Sequence, residues 1–188
     1  MKNYINNYFE AVSKNFIDFK NQSEEIILAV DKIVYSLKSG NKIIFCGNGG
    51  SASDAQHLAT ELIGRYKDDR DPLAAIAITT DTSALTAIGN DYGFDNIFSR
   101  QIEGIGKPGD TLVAISTSGN SKNVINAAHS AKKNGINVIG LTGKKESKFS
   151  ELCDICIHAQ NEKTNHIQEM HIAVGQLICE IVEKEIFK

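Results

Sequence analysis

Residues 42–53 read KIIFCGNGGSAS: a short apolar run, Lys42 to Cys46, closes on the loop Gly47-Asn48-Gly49-Gly50-Ser51-Ala52-Ser53 and then opens a helical pattern. The same grammar returns at Thr111–Ile115, which enters Ser116-Thr117-Ser118-Gly119-Asn120-Ser121 before a helical segment ending near Gly135. Three more apolar runs, Ala74–Thr79, Asn137–Leu141 and Asp154–Ala159, also end in loops of Gly, Ser, Thr or Asp. Strand, loop and helix in alternation predict an α/β fold. Its central sheet is largely parallel, of about five strands, with helices on both faces.

Working outward, two helical patterns precede the first strand. Ile5, Tyr8, Phe9, Val12, Phe16 and Phe19 form one; Ile26, Ile27, Val30, Ile33, Val34 and Leu37 form the other, stopped by Gly40 and Asn41. A last helix runs from about Asn165 to Phe187, with Ile167, Met170, Val174, Leu177, Ile178, Ile181 and Val182 as its apolar stripe. With no linker or repeat between them, residues 1–188 read as one domain, and 1–40 as helices packing on it and on partner subunits. The long terminal helices carry more apolar surface than one modest sheet needs, which predicts an oligomer.

Composition removes several function classes. The 188 residues hold 20 Lys+Arg and 23 Asp+Glu, a net charge of −3, which argues against bulk attraction to nucleic acid. No apolar run approaches the ~20 residues of a membrane span, and Met1 to Lys20 does not resemble a signal peptide. Cys46, Cys153, Cys156 and Cys179 lie among strand-like and helix-like residues in a chain large enough to fold without staples. The expectation is a cytoplasmic protein with reduced thiols. Cys153-Asp154-Ile155-Cys156 has redox or zinc spacing, but no second pair accompanies it, and it reads as the entry to a strand. Asp68-Asp69-Arg70-Asp71-Pro72 reads as a solvated loop, Asn90-Asp91 as a polar turn, and Arg65 as a solvated arginine. His129, His158 and His166 belong to no recognisable pattern and read as surface or packing residues.

Chemistry gathers in the two loops and the helix after the first. Glycines at 47, 49 and 50 let the backbone approach a ligand, and the helix that follows offers unpaired N–H groups to an anion. The spacing is neither a Walker loop nor a dinucleotide fingerprint. Four hydroxyls within Ser116–Ser121 exceed what one helix cap needs. Two such loops on one parallel sheet point to a polar, phosphorylated ligand. His57 and Glu61, four apart, share a helix face with Asp54 one turn earlier. That face offers a nitrogen ligand, carboxylate ligands and a proton acceptor, or simply a solvated ion pair.

In their order and spacing, Cys46–Ser51, Asp54–Tyr66, Gly89–Phe98, Ile115–Ser121 and Ile167–His171 resemble the sugar isomerase (SIS) domain family, and within it the phosphoheptose isomerases. The resemblance runs from the helical N-terminus to Glu183-Lys184-Glu185. It implies an SIS-type three-layer fold and a homotetramer with sites between subunits. It also implies an aldose–ketose isomerase that converts sedoheptulose 7-phosphate to D-glycero-D-manno-heptopyranose 7-phosphate through an enediol(ate). That reaction would open heptose biosynthesis for bacterial surface polysaccharide. The phosphate would sit on Ser116, Thr117, Ser118 and Ser121. The sugar would meet Asn48, Gly49, Gly50, Ser51, Glu61, Asn90, Asp91 and Gln168. Asp54 would assist ring opening, and Glu61 would carry the proton between carbons. One zinc ion per site would be held by His57, Glu61 and Gln168, with Gln176 at a fourth position.

Two positions depart from the family pattern. Its second catalytic histidine, also a zinc ligand, is Gln176 here, and the aspartate three residues before Gln168 is Asn165. An amide oxygen can meet a metal but cannot titrate as an acid. His171 is no ready substitute, since five helical residues turn it about 140° away from Gln176. A binding module of the same family, which attaches to the replication initiator and lacks isomerase machinery, shares Gln168-Glu169-Met170-His171. Glu61, together with His57 and Asp54, is what separates the enzyme from that alternative.

Overall fold

All five apolar runs become strands: β1 (Ile43–Gly47), β2 (Ala75–Ala77), β3 (Thr111–Ser116), β4 (Asn137–Gly143) and β5 (Ile155–Ala159). They pair in parallel in the order β2-β1-β3-β4-β5. Here the computed structural model describes residues 1–144 and 146–188. Its helices are α1 (Lys2–Asp18), α2 (Ser23–Lys38), α3 (Gly50–Ile63), α4 (Thr82–Tyr92), α5 (Ser99–Ile105), α6 (Lys122–Lys133) and α7 (Thr164–Phe187). Parallel strands need crossovers, and the crossovers put helices on both faces. β1 and β3 are consequently buried at every position.

One face of the sheet packs Phe45, Val113, Ile139, Leu141 and Ile157 against α2, α3 and α7. The other packs Ile44, Leu112, Ala114 and Val138 against Ile102 of α5 and Val124 and Ala127 of α6. Burial of each large aliphatic side chain contributes roughly 1.5–3 kcal/mol. Gly175 lets α7 lie close against α3: a Cβ there would come within 2.5 Å of Leu58 Cδ1.

The loop read as solvated at Asp68–Pro72 is anchored at its centre. Arg70 has a side chain only 3% exposed, and its Nε lies 3.0 Å from Glu183 Oε2 on α7. Its guanidinium donates to the carbonyls of Glu61, Leu62 and Gly64, which the end of α3 leaves without helical partners. Glu183 in turn accepts the backbone N–H groups of Tyr66, Lys67 and Asp68. Burial raises the pKa of this carboxyl, but the three N–H donors and Arg70 outweigh it and hold the group down at about 2.

The N-terminal helices divide. α2 buries Ile26, Ala29, Val30 and Ile33, while α1 buries none of its residues. Tyr4, Phe9 and Ile17 on α1 are 76%, 63% and 63% exposed, and Ile27, Leu28 and Tyr35 of α2 also face outward. Among the described residues no helix is long and apolar enough to cross a membrane.

Candidate active site

β1 is followed by α3 on one face of the sheet and β3 by α6 on the other, so strand order reverses between neighbouring strands. A crevice opens outside the carboxyl ends at such a switch point, and both candidate loops border it. In the first loop Gly49 adopts φ +53°, a conformation that favours glycine. At Gly50 a Cβ would lie 2.6 Å from Nε2 of Gln168, so the bare backbone makes room for that carboxamide. Asn48 and Asn123 exchange two hydrogen bonds of 2.8 Å and tie the glycine loop to α6.

The hydroxyl loop turns through Gly119 at φ +63°. Ser116 Oγ lies 3.3 Å from Ser121 Oγ, and Ser118 Oγ accepts from the Asn120 N–H at 3.1 Å. Ser121 stands at the N-cap of α6, yet its hydroxyl makes no capping bond. A cleft of about 240 Å³ adjoins the loop, lined by Thr117, Ser118 and Asn120 on one side and Gly143, Lys144 and Asn161 on the other. Ser116 and Ser51 are buried; Thr117 and Ser121 are half-buried; Ser118, Gly49 and Gly50 are exposed.

On α3, His57 Nε2 and Glu61 Oε1 lie 3.0 Å apart, with the side chains 48% and 19% exposed. Asp54 is half-buried, and its Oδ2 is buried without a hydrogen-bond partner. Burial raises the Asp54 pKa against the opposing influence of His57, so its carboxyl holds a proton to higher pH than an ordinary aspartate.

The residues expected to hold zinc meet only in part within one chain. His57 and Glu61 converge, and an imidazole nitrogen with a carboxylate oxygen suits a borderline cation. Gln168 rests instead on Gly50, seven residues or about 10 Å of helix before His57. Gln176 is half-buried beside Gly175, at the level where α7 crosses Leu58. Among the described residues no group of three or more His, Cys, Asp or Glu assembles for a metal.

Asn90 and Asp91 are a correction to the sequence reading: they lie in the last turn of α4, not in a loop. Both are exposed, and Asn90 Nδ2 donates to Asp91 Oδ1 at 2.8 Å. His171 is fully buried with Nε2 3.0 Å from the Thr142 carbonyl, and burial lowers its pKa to about 4. It faces the sheet, so it does not stand in for Gln176. His166, too, is buried and pairs with Glu169 at 2.9 Å, whereas His129 is exposed. Asn123, Lys144 and Asn161 were not legible as site residues. The last two follow β4 and β5, so the rule that ligands gather at carboxyl strand ends could have flagged them.

The model of the SIS domain family matches residues 7–143. A phosphoheptose isomerase of Akkermansia muciniphila is 50% identical over 187 residues, 100% of this chain and 99% of that relative. The chain belongs to the phosphoheptose isomerases of the SIS domain family. Its SIS fold matches the solved phosphoheptose isomerase of Neisseria gonorrhoeae with a TM-score of 0.92 at 40% identity, covering 97% of this chain and 98% of that one. The Francisella tularensis phosphoheptose isomerase matches with 0.93 at 34% identity, covering 97% of each chain. The three-layer architecture with long terminal helices is thus the SIS architecture of these isomerases.

Proposed function

We propose that the chain interconverts sedoheptulose 7-phosphate and D-glycero-D-manno-heptose 7-phosphate through an enediol(ate). The observation that carries the reading is the meeting of a glycine loop and a hydroxyl loop at one switch point. The chain that holds them is 50% identical over its whole length to a phosphoheptose isomerase. Ser116, Thr117, Ser118 and Ser121 supply neutral donors to the phosphate, and Lys144 adds positive charge at the rim of the cleft. Asn48, Gly49, Gly50, Ser51 and Gln168 line the sugar's path.

Ring opening requires a proton to move from the anomeric hydroxyl to the ring oxygen. Asp54, whose pKa burial raises against the influence of His57, serves that shuttle. A base then takes a proton from C1 of the ketose and returns it at C2, while a second proton moves between the two oxygens. Glu61 is that base, oriented by His57 at 3.0 Å. A zinc ion on His57 and Glu61, with amide ligands at Gln176 or from another copy of the chain, would supply Lewis-acid polarisation of the sugar oxygens, while Gln168, which rests on Gly50, is left to the sugar.

Glu61 stands about 16 Å along α3 from Gly50. A phosphate on the hydroxyl loop and a reacting carbon at Glu61 are therefore more easily served by different copies. This spacing, with the exposed apolar residues of α1 and α2, supports a homotetramer with sites between subunits. A cytoplasmic setting and a supply of heptose to surface polysaccharide follow from the same reading.

The deciding experiment is turnover of sedoheptulose 7-phosphate by the purified protein with zinc supplied. Glu61→Gln keeps size and hydrogen bonding but removes the base, and is expected to lower kcat by at least ~10²-fold. Near-unchanged turnover removes Glu61 from the mechanism. Wild-type protein that binds the sugar phosphate without converting it supports the binding-module alternative.

A further inference from the structure

A second cluster of reactive groups, none of them used in the isomerase reading, lies at the edge strand β5, behind Gly143 of the cleft lining. Ile157 and Ala159 of β5 join the core under α2 and α7, so the alternation of the strand sends Cys156 and His158 to the opposite face. Register brings Gly140 of β4 beside Cys156. Gly140 has no side chain, and a Cβ built there would collide with Cys153 Sγ. The sulfur of Cys153 thus lies over Gly140 on the face that Cys156 shares. Glycine at this one position is what lets the two thiols meet.

His158 completes the cluster. Its Nδ1 lies 3.0 Å from the Gly143 carbonyl and so carries a proton, which leaves Nε2 as the nitrogen that titrates. Glu146 Oε1 is 3.8 Å from that Nε2, and on the Cys153 side Lys132 pairs with Asp154 at 2.8 Å. Cys153, Cys156 and His158 are each half-buried, whereas Cys46 and Cys179 are buried. Hydrogen bonding from Cys153 and the neighbouring His158 lower the Cys156 pKa, while burial pushes Cys46 and Cys179 up to about 12. All four are free thiols.

We propose that Cys153 and Cys156 form a redox-active dithiol, in which His158 charges the Cys156 sulfur and the oxidant is a low-molecular-weight disulfide. The Cys156 thiolate attacks one sulfur of the disulfide. A Cys156 mixed disulfide forms, the S–S bond of the oxidant breaks, and one thiolate leaves and takes a proton from solvent. Cys153 then loses its proton to solvent and attacks the Cys156 sulfur, expelling the second thiolate, which is protonated in turn. Two protein thiols and one disulfide become one protein disulfide and two small thiols. Two electrons pass to the oxidant. The proposal is independent of the isomerase reaction.

The test uses the whole protein, reduced and freed of reductant, with oxidised glutathione as the disulfide. Mass mapping is expected to find an intramolecular Cys153–Cys156 bond as the main product. At about neutral pH iodoacetamide should alkylate Cys156 at least about tenfold faster than the other three cysteines. Cys153→Ser should stall with glutathione on Cys156. His158→Gln should move the pH midpoint of Cys156 alkylation upward while circular dichroism stays unchanged. Failure of the folded wild-type protein to form the bond overturns the proposal, as does equal labelling of all four cysteines. An unshifted pH midpoint in His158→Gln removes the charging role.

Discussion

Ser118 is the exposed hydroxyl of its loop, and because its oxygen already accepts from the Asn120 N–H at 3.1 Å, its own proton is free to donate. A hydrogen bond to a charged phosphate contributes about 1.5–3 kcal/mol. Ser118→Ala is therefore expected to weaken sugar-phosphate binding about tenfold or more, read by calorimetric titration; an unchanged Kd would move the phosphate elsewhere. The His57–Glu61 contact sets a second expectation. With Gln176 where the family has a histidine, zinc should be held more loosely than in relatives that keep the histidine. Metal analysis of protein purified without chelator measures this, and stoichiometric zinc surviving His57→Ala would place the centre elsewhere. The His57–Glu61 pair was readable in the sequence because i, i+4 spacing dictates a shared helix face. The Asn48–Asn123 exchange was not, since its partners are 75 positions apart and only the sheet order brings them together.

At the scale of elements, the apolar runs announced every strand. β1, β3 and β4 are covered on both faces and so are apolar almost throughout. The edge strands β2 and β5 are only partly buried and were marked by their loops as well. The segments between them were harder. Asn90-Asp91 follows a glycine and carries turn chemistry, yet α4 continues through it to Tyr92 before Gly93 turns at φ +85°. Arg70 looked solvated among aspartates because its partner, Glu183, lies 113 residues away on α7. That buried pair couples α7 to the end of α3 that carries Glu61. Glu183 has its carboxyl at about 2 against an ordinary 4.5, so the unfolded chain binds more protons in between. The stability it contributes is present above the ordinary value and is lost as pH falls through about 2. Glu183→Gln should cost ~3–5 kcal/mol at neutral pH, where it strands a buried guanidinium. Urea unfolding should show that difference shrinking steadily as pH falls through this window; a constant difference would mean that Glu183 does not stay ionised there.

For the molecule as a whole, α1 is the element one chain does not account for. It buries no residue, and Phe9 is 63% exposed. Phe9→Asp places a charge on that face without touching the domain core. In analytical ultracentrifugation the variant is expected to shift from tetramer towards smaller assemblies, with isomerase activity falling in step. A wild-type protein that sediments as a monomer would refute the assembly. The sequence by itself determined the strand-and-helix alternation, the parallel sheet, the glycine and hydroxyl loops and the helical spacing of Asp54, His57 and Glu61. Each of these is local, set by side-chain period and glycine placement over a few residues. Only the tertiary structure decided that β1 and β3 are neighbours at a switch point, that Gln168 rests on Gly50 rather than on His57, and that Gly140 lets Cys153 reach Cys156. Those contacts depend on strand order and register, which join residues far apart in the chain and leave no periodic trace within it.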